Sequence, residues 1–198
     1  MLGDFTYCNP TRLHFGRNAL DFLPGELTKC GKTVLLVYGG GSIKKTGLYD
    51  KILAILRETG KTVVEDAGVM PNPTLDKLRE GARLARENNV DLILSVGGGS
   101  CCDYSKGVSA AAWCEEDPWE KFYQRMEEPS NRLIPMGCVL TMVGTGSEMN
   151  GGSVITNTAT KQKVSKIFGD ALFPKFAILN PELTYTLPHE EILRASMG

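Results

Sequence analysis

The sequence is short of several things, and each shortage excludes a class of protein. No apolar run approaches the ~18 residues that a membrane-spanning helix needs, and the opening MLGDFTYCNPTR lacks the basic stretch and apolar core of an export signal. Charge of one sign is not in surplus. The 22 Lys and Arg against 23 Asp and Glu leave a formal net charge of −1, which gives no general attraction to nucleic acid or to an anionic membrane. The six cysteines (Cys8, Cys30, Cys101, Cys102, Cys114 and Cys138) include no C-x-x-C pair, so neither a zinc ribbon nor a disulfide framework is indicated and they read as reduced, structural thiols. Cys101 and Cys102, adjacent at a helix start, cannot face a common metal without distortion. Histidine is down to two, His14 and His189, each read as a surface or capping residue. There is no internal repeat and no low-complexity tract. What remains is a chain of 198 residues, 42% hydrophobic and 23% charged, long enough for a proper core and expected to be cytoplasmic with small-molecule partners.

What is present is glycine in runs, each placed after an apolar, β-rich segment. TVLLVY (33–38) leads into Gly39-Gly40-Gly41-Ser42, VDLILSV (90–96) into Gly97-Gly98-Gly99-Ser100, and the apolar stretch 133–141 into Gly144-Thr145-Gly146-Ser147. Between these strands lie helical patterns. Leu48, Ile52, Ile55 and Leu56 form one, and Leu75, Leu78, Ala82 and Ala85 form another after Pro71-Asn72-Pro73, with Thr74 as its N-cap. Residues 61–65 and 176–180 read as further strands, 153–156 with 163–168 as a hairpin, and 115–130 as an acidic, tryptophan-bearing loop. Strands alternating with helices predict an α/β fold, a Rossmann-like parallel sheet flanked by helices, with a small β-hairpin.

In such a sheet ligands gather outside the carboxyl ends of the strands, where all three glycine turns fall. Their shared use is to bring backbone N–H groups against phosphate oxygens at a helix N-terminus. None of them completes G-x-G-x-x-G, the last position being Lys44, Cys102 or Met149, and no Walker A loop is present.

Taken with Asn9-Pro10-Thr11 and Phe15-Gly16, the segments YGGGSIKKTG (38–47), GGGSCCDYSK (97–106), GTGSEMN (144–150) and NPELTYTLP (180–188) make the chain resemble the iron-dependent, group III alcohol dehydrogenases over essentially its whole length. The butanol dehydrogenase and aldehyde reductase branch is the most similar. The resemblance implies a dinucleotide-binding domain over residues 1–187, with residues 188–198 opening an all-helical, metal-binding domain that is absent. It further implies cofactor binding by Gly39, Gly40, Gly41, Ser42, Gly97, Gly98, Gly99, Ser100, Asp103, Thr141, Met142, Thr145, Ser147, Val154 and Lys163. Thr141, Thr145 and Ser147 are expected to line the adenine and pyrophosphate cleft, Asp103 to lie on the nicotinamide side, Lys163 at the nicotinamide ribose, and Lys106 to support the phosphates. Cys101-Cys102 stand where many members carry branched apolar residues, and read as small packing substitutes.

The first turn lacks the acidic residue that goes with NAD in this family, which favours NADP. Glu65-Asp66 at the end of the second strand argue for NAD, as carboxylates placed to bind a ribose. The family's divalent metal, iron or zinc, is held by an aspartate and three histidines. The aspartate is expected directly after Met197-Gly198, so no metal ligand is assigned to this chain, no catalytic residue is named, and the chain alone is expected to be inactive. Cys8 or Cys138 as a nucleophile has no paired histidine in support. Two other readings stay open: a stand-alone, non-catalytic nucleotide-binding module, and a polyol dehydrogenase or sugar-phosphate lyase on the same architecture. A stand-alone module predicts no exposed apolar surface at Ile192, Leu193 and Ala195. The segment 5–15 reads as an edge strand through which two chains pair into a homodimer.

Overall fold

The computed structural model describes residue 4, residues 6–185 and residues 187 and 190. The expectations that concern Phe5, Pro188, His189, Ile192, Leu193 and Ala195, and with them the domain boundary at 187/188, lie outside the described residues.

Six parallel strands form the main sheet: β1 (Arg12–Phe15), β2 (Thr33–Tyr38), β3 (Thr62–Asp66), β4 (Leu92–Gly97), β5 (Met136–Leu140) and β8 (Phe176–Leu179). Their spatial order is β1-β8-β5-β4-β2-β3. Two further strands, β6 (Gly152–Asn157) and β7 (Gln162–Ile167), make the expected antiparallel hairpin. The helices are α1 (Leu23–Leu27), α2 (Ser42–Lys45), α3 (Leu48–Glu58), α4 (Leu75–Glu87) and α5 (Gly99–Ala111).

Side chains of β2 alternate between two cores, as the period of a strand requires. Val34, Leu36 and Tyr38 pack with Leu23 and Leu27 of α1 and with Ile52 and Leu56 of α3. Leu35 and Val37 pack on the other face with Leu78 and Ala85 of α4 and with Tyr104 and Val108 of α5. The central strands are therefore buried on both sides, which is why 34–38 and 92–97 read as unbroken apolar runs.

This layering fixes where a ligand can sit. The chain leaves β2 over the α3 face toward β3, crosses back by α4, and leaves β4 over the opposite face by α5. The connections thus diverge between β2 and β4, and the carboxyl ends of those two strands border the crevice that a topological switch point creates. The turns 39–42 and 97–100 are its two sides.

One segment differs from its sequence reading. The loop at 115–130 contains a π-helical turn, Trp119–Gln124, whose Trp119, Phe122 and Tyr123 are buried. Trp119 stacks on Tyr123 with ring centroids 5.5 Å apart, and Phe122 meets Phe168 edge-on at 5.6 Å. These rings cover α5 and the foot of the hairpin, so the hairpin stands beside the carboxyl edge of the sheet as a wall.

Candidate functional site

Six of the predicted site residues line two of the clefts at the carboxyl edge. Asp103, Thr145, Ser147 and Val154 line the first, of about 480 Å³, together with Asn150, Gly152, Ser165 and Ile167. Ser42 and Thr141 line the second, of about 530 Å³, together with Lys45, Lys51, Asn180 and Glu182. Gly97–Ser100 and Met142 lie between the two, since β4 separates β2 from β5 and the Thr141 N–H donates to the Gly97 carbonyl at 3.0 Å. Asn150, Gly152 and Ser165 escaped assignment from the sequence, although Asn150 stands inside the GTGSEMN segment that was singled out.

The glycines do different jobs. A Cβ at Gly97 would lie 2.5 Å from Cys101 Sγ and one at Gly99 would lie 2.7 Å from Thr145 Cγ2, so both positions are held bare by the protein's own packing. Gly98 is less confined, with Met142 Cβ at 3.2 Å. Gly41 adopts φ +108°, a left-handed conformation that side chains disfavour. Gly40 has neither demand: its φ is ordinary and nothing lies within 4 Å of where its Cβ would stand. Packing accounts for more of the glycine pattern than the three runs suggest on the page, and Gly40 and Gly98 are the positions that leave backbone open to a ligand. Helix α5 starts from Gly98 with no side-chain cap; the Cys101 N–H closes onto the Gly98 carbonyl at 3.0 Å, which leaves the Gly99 and Ser100 N–H groups for an anion.

Asp103 forms one side of the first cleft. Burial pushes its carboxyl above the ordinary carboxylate range. The Ser147 hydroxyl, the charge of Lys106, the Val154 N–H and the charge of Lys163 pull the other way without cancelling it. Ser147 Oγ donates to Asp103 Oδ1 at 2.5 Å. Lys163 lies on β7, exposed, with Nζ donating to Asn72 Oδ1 at 2.5 Å. It stands outside the lining of either cleft and reaches Asp103 only through its field. Lys106 is fully buried and turned inward, away from any position where it would touch a phosphate in the cleft.

The carboxylates at the end of β3 are both engaged. Glu65 accepts from Tyr38 Oη at 2.6 Å and Tyr49 Oη at 2.7 Å, and these two hydroxyls hold its carboxyl below the ordinary range against the effect of burial. Lys44 Nζ sits 4.5 Å from the Tyr49 ring centroid. Asp66 is buried, paired with Lys77 Nζ at 2.6 Å and accepting from Tyr104 Oη at 2.6 Å. Neither is a free ribose partner.

His14 is neither a surface nor a capping residue. Its Nε2 lies 2.9 Å from Oε1 of buried Glu26, and its ring stacks on Phe22. Among the described residues no three His, Cys, Asp or Glu side chains come together in a way that could hold a metal ion. The donor set there does not fit a divalent metal.

Glycine turns at the carboxyl ends of β2, β4 and β5, an uncapped α5 and a flanking hairpin form one arrangement, and residues 10–181 match the family of iron-containing alcohol dehydrogenases. The chain belongs to that family. Over 186 residues it is 50% identical to the probable NADH-dependent butanol dehydrogenase 1 of Bacillus subtilis, covering 93% of this chain and 47% of that protein. It is 41% identical over 194 residues to the NADPH-dependent aldehyde reductase YqhD of Escherichia coli, covering 96% and 49%. The crystal structure of NADH-dependent butanol dehydrogenase A from Thermotoga maritima superposes with a TM-score of 0.90 at 40% identity, over 98% of this chain and 48% of that one. The chain thus spans about half the length of the relatives it matches.

Proposed function

We propose that this chain is the nucleotide-binding portion of an NAD(P)-dependent, metal-dependent alcohol dehydrogenase or aldehyde reductase, acting between a primary alcohol and its aldehyde. The observation that carries the reading is the pair of clefts at the carboxyl edge of the sheet, together with the uncapped start of α5. The pyrophosphate is assigned to the first-turn N–H groups at Gly99 and Ser100, beside the open backbone of Gly98. The adenosine half is assigned to the cleft of Ser42 and Thr141, beside Gly40, and the nicotinamide half to the cleft of Asp103, Thr145, Ser147 and Val154. When bound, the dinucleotide supplies or accepts the hydride. The chain's own residues bind and orient it, and Ile167 and Val154 give the nicotinamide side an apolar wall. Lys163 at the nicotinamide ribose remains part of the proposal, and requires that it leave Asn72.

We assign NADP ahead of NAD. The relatives' names divide between NADH and NADPH, so the choice rests on the cleft. Its Lys45 and Lys51 favour an extra phosphate, while Asp66 is buried against Lys77 and Tyr104 and the exposed Glu65 already accepts from Tyr38 and Tyr49. The described residues offer no donor set for a divalent metal, and the chain alone is expected to bind cofactor without turnover. The domain boundary near residue 187 and a homodimer are part of the same proposal. Strand β1 supports pairing of chains because it lies at the sheet edge with Leu13 and Phe15 exposed.

The test is a separate titration of NADPH and NADH against the chain, followed by nicotinamide fluorescence or heat. Tighter NADPH is the expected result. Tighter NADH overturns the NADP assignment alone, whereas a folded chain that binds neither overturns the cradle.

A further inference from the structure

Lys106 lies two turns into α5 with its side chain fully buried. An ammonium has three N–H donors and no acceptor. All three donors are in use: Ser147 Oγ accepts at 2.9 Å, Asn150 Oδ1 at 3.0 Å and the Gly152 carbonyl at 2.6 Å. Because the ammonium can only donate, it takes an acceptor lone pair of Ser147 and leaves that hydroxyl's single proton to go elsewhere. The receiver is Asp103 Oδ1. Asn150 is locked at the same point: its Oδ1 also accepts from the Gly152 N–H at 2.7 Å, and its Nδ2 donates to the Gly146 carbonyl at 2.9 Å. One cation therefore joins α5, the turn after β5 and the entry to the hairpin.

Anchoring alone does not call for a charge here. Buried ion pairs replaced by well-packed apolar side chains are often neutral or stabilising, and a desolvated ammonium is costly. What a cation adds is direction. We infer that Lys106 is a positioning residue of the dinucleotide cleft, which aims the Ser147 hydroxyl at Asp103 and thereby fixes the carboxylate that borders the cleft. Its effect on cofactor binding rests on the proposed function, but the orientation itself belongs to the ligand-free chain.

The groups that act on this set come from every element around it. Asp103 feels Lys106 on its own helix, Lys163 from β7 and the Val154 N–H from β6, and it acts in turn on Tyr123 of the π-helical turn. Lys106 feels Cys102 and Asp103 on α5, Cys138 from β5 and Glu148 from the 3₁₀ turn after Gly146. Burial already raises the Asp103 carboxyl while Ser147 and Lys106 lower it, so removing either should raise it further.

The experiment is a ¹³C titration of the Asp103 carboxyl in the ligand-free chain, for the wild type, Lys106→Met, Lys106→Gln and Ser147→Ala, paired with NADPH affinity over the same pH range. The midpoint is expected to move upward in Lys106→Met and Ser147→Ala, with NADPH binding weakened roughly tenfold, the scale of one charge-assisted hydrogen bond. Lys106→Gln restores N–H donors without the charge, and should recover part of the affinity while the midpoint stays raised. Lys106→Met added to Asp103→Asn should cost no further affinity, because the two act in series. An unmoved midpoint in folded Lys106→Met, or in Ser147→Ala should the former not fold, overturns the inference and leaves Lys106 an internal fastener. A raised midpoint in a chain that binds no dinucleotide at any pH overturns the cofactor reading and leaves the positioning intact.

Discussion

Gly81 shows how much a single residue's reading depends on its surroundings. In the middle of α4 a glycine reads as a weakness, since alanine is better by roughly 0.5–1 kcal/mol in a helix interior. A Cβ there would fall within 2.8 Å of Asp66 Oδ2 and 2.9 Å of Tyr104 Cζ. Those atoms belong to the buried Tyr104–Asp66–Lys77 group, which cannot shift without stranding a carboxylate. Overpacking at about 1–3 kcal/mol, with a damaged buried hydrogen bond added, exceeds the helix gain. Gly81→Ala is therefore expected to destabilise the chain by about 2 kcal/mol, read as a lowered midpoint in urea unfolding. A neutral or stabilised variant would show that Tyr104 can move aside.

At the scale of elements, α4 and α5 differ at their N-termini. Thr74 caps α4, with Oγ1 accepting from the Lys77 N–H at 3.3 Å, and the neighbouring Pro73 carbonyl accepts from Thr156 N–H of the hairpin at 2.9 Å. Thr74→Ala should cost about 1 kcal/mol of stability and leave dinucleotide affinity unchanged. α5 begins at Gly98 with an extended backbone and no cap. A methyl group there meets Met142 Cβ at 3.2 Å, an atom held by its backbone, so the turn after β5 must give by a few tenths of an ångström. Gly98→Ala should accordingly lose about 1 kcal/mol of stability and bind NADPH at least about tenfold more weakly, because it crowds the backbone at the N-terminus. Equal affinity in both variants would detach α5 from the cofactor. The π-helical turn at 119–124 escaped the sequence reading for a related reason. Acidic neighbours and a proline mark a loop, yet Trp119, Phe122 and Tyr123 fall on one side of a helical turn and enter the core.

The whole molecule responds to acid through its edge. Glu26 on α1, 4% exposed, receives Arg12 and His14 from β1 and Lys29 beside its own helix. Burial raises its carboxyl, but the hydrogen bonds from His14, Lys29 and Arg12 outweigh burial and hold it below its ordinary value of 4.5. A depressed carboxylate stabilises the fold above the unfolded-state value and loses that contribution as pH falls through the folded one. Glu26→Gln is thus expected to cost about 1–2 kcal/mol at neutral pH, the exposed cations being partly screened. The gap to the wild type should close below pH 4.5. Thermal melts across pH 3–7 check it, and a gap independent of pH would locate Glu26's role in packing rather than charge. Among the described residues no helix is long and apolar enough to cross a membrane.

Sequence alone determined the elements: the strands read at 33–38, 90–96 and 133–141, which fold as 33–38, 92–97 and 136–140, helices α3 and α4 with the Thr74 cap, the hairpin, and the glycine turns at strand ends. Those signals are local, set by side-chain period and backbone preference over a few residues, so a linear reading reaches them. The family motifs also marked Asp103, Thr145, Ser147 and Val154 of the first cleft and Ser42 and Thr141 of the second. Only the tertiary structure decided which glycines are bare for packing and which for access, that Asp66 is sealed under Tyr104 while Lys163 points at Asn72, and that Lys106 turns inward to Ser147, 41 residues away. Those outcomes depend on strand order and on which sheet face each helix takes, and contacts at that sequence separation leave no trace in the periodicity of either segment.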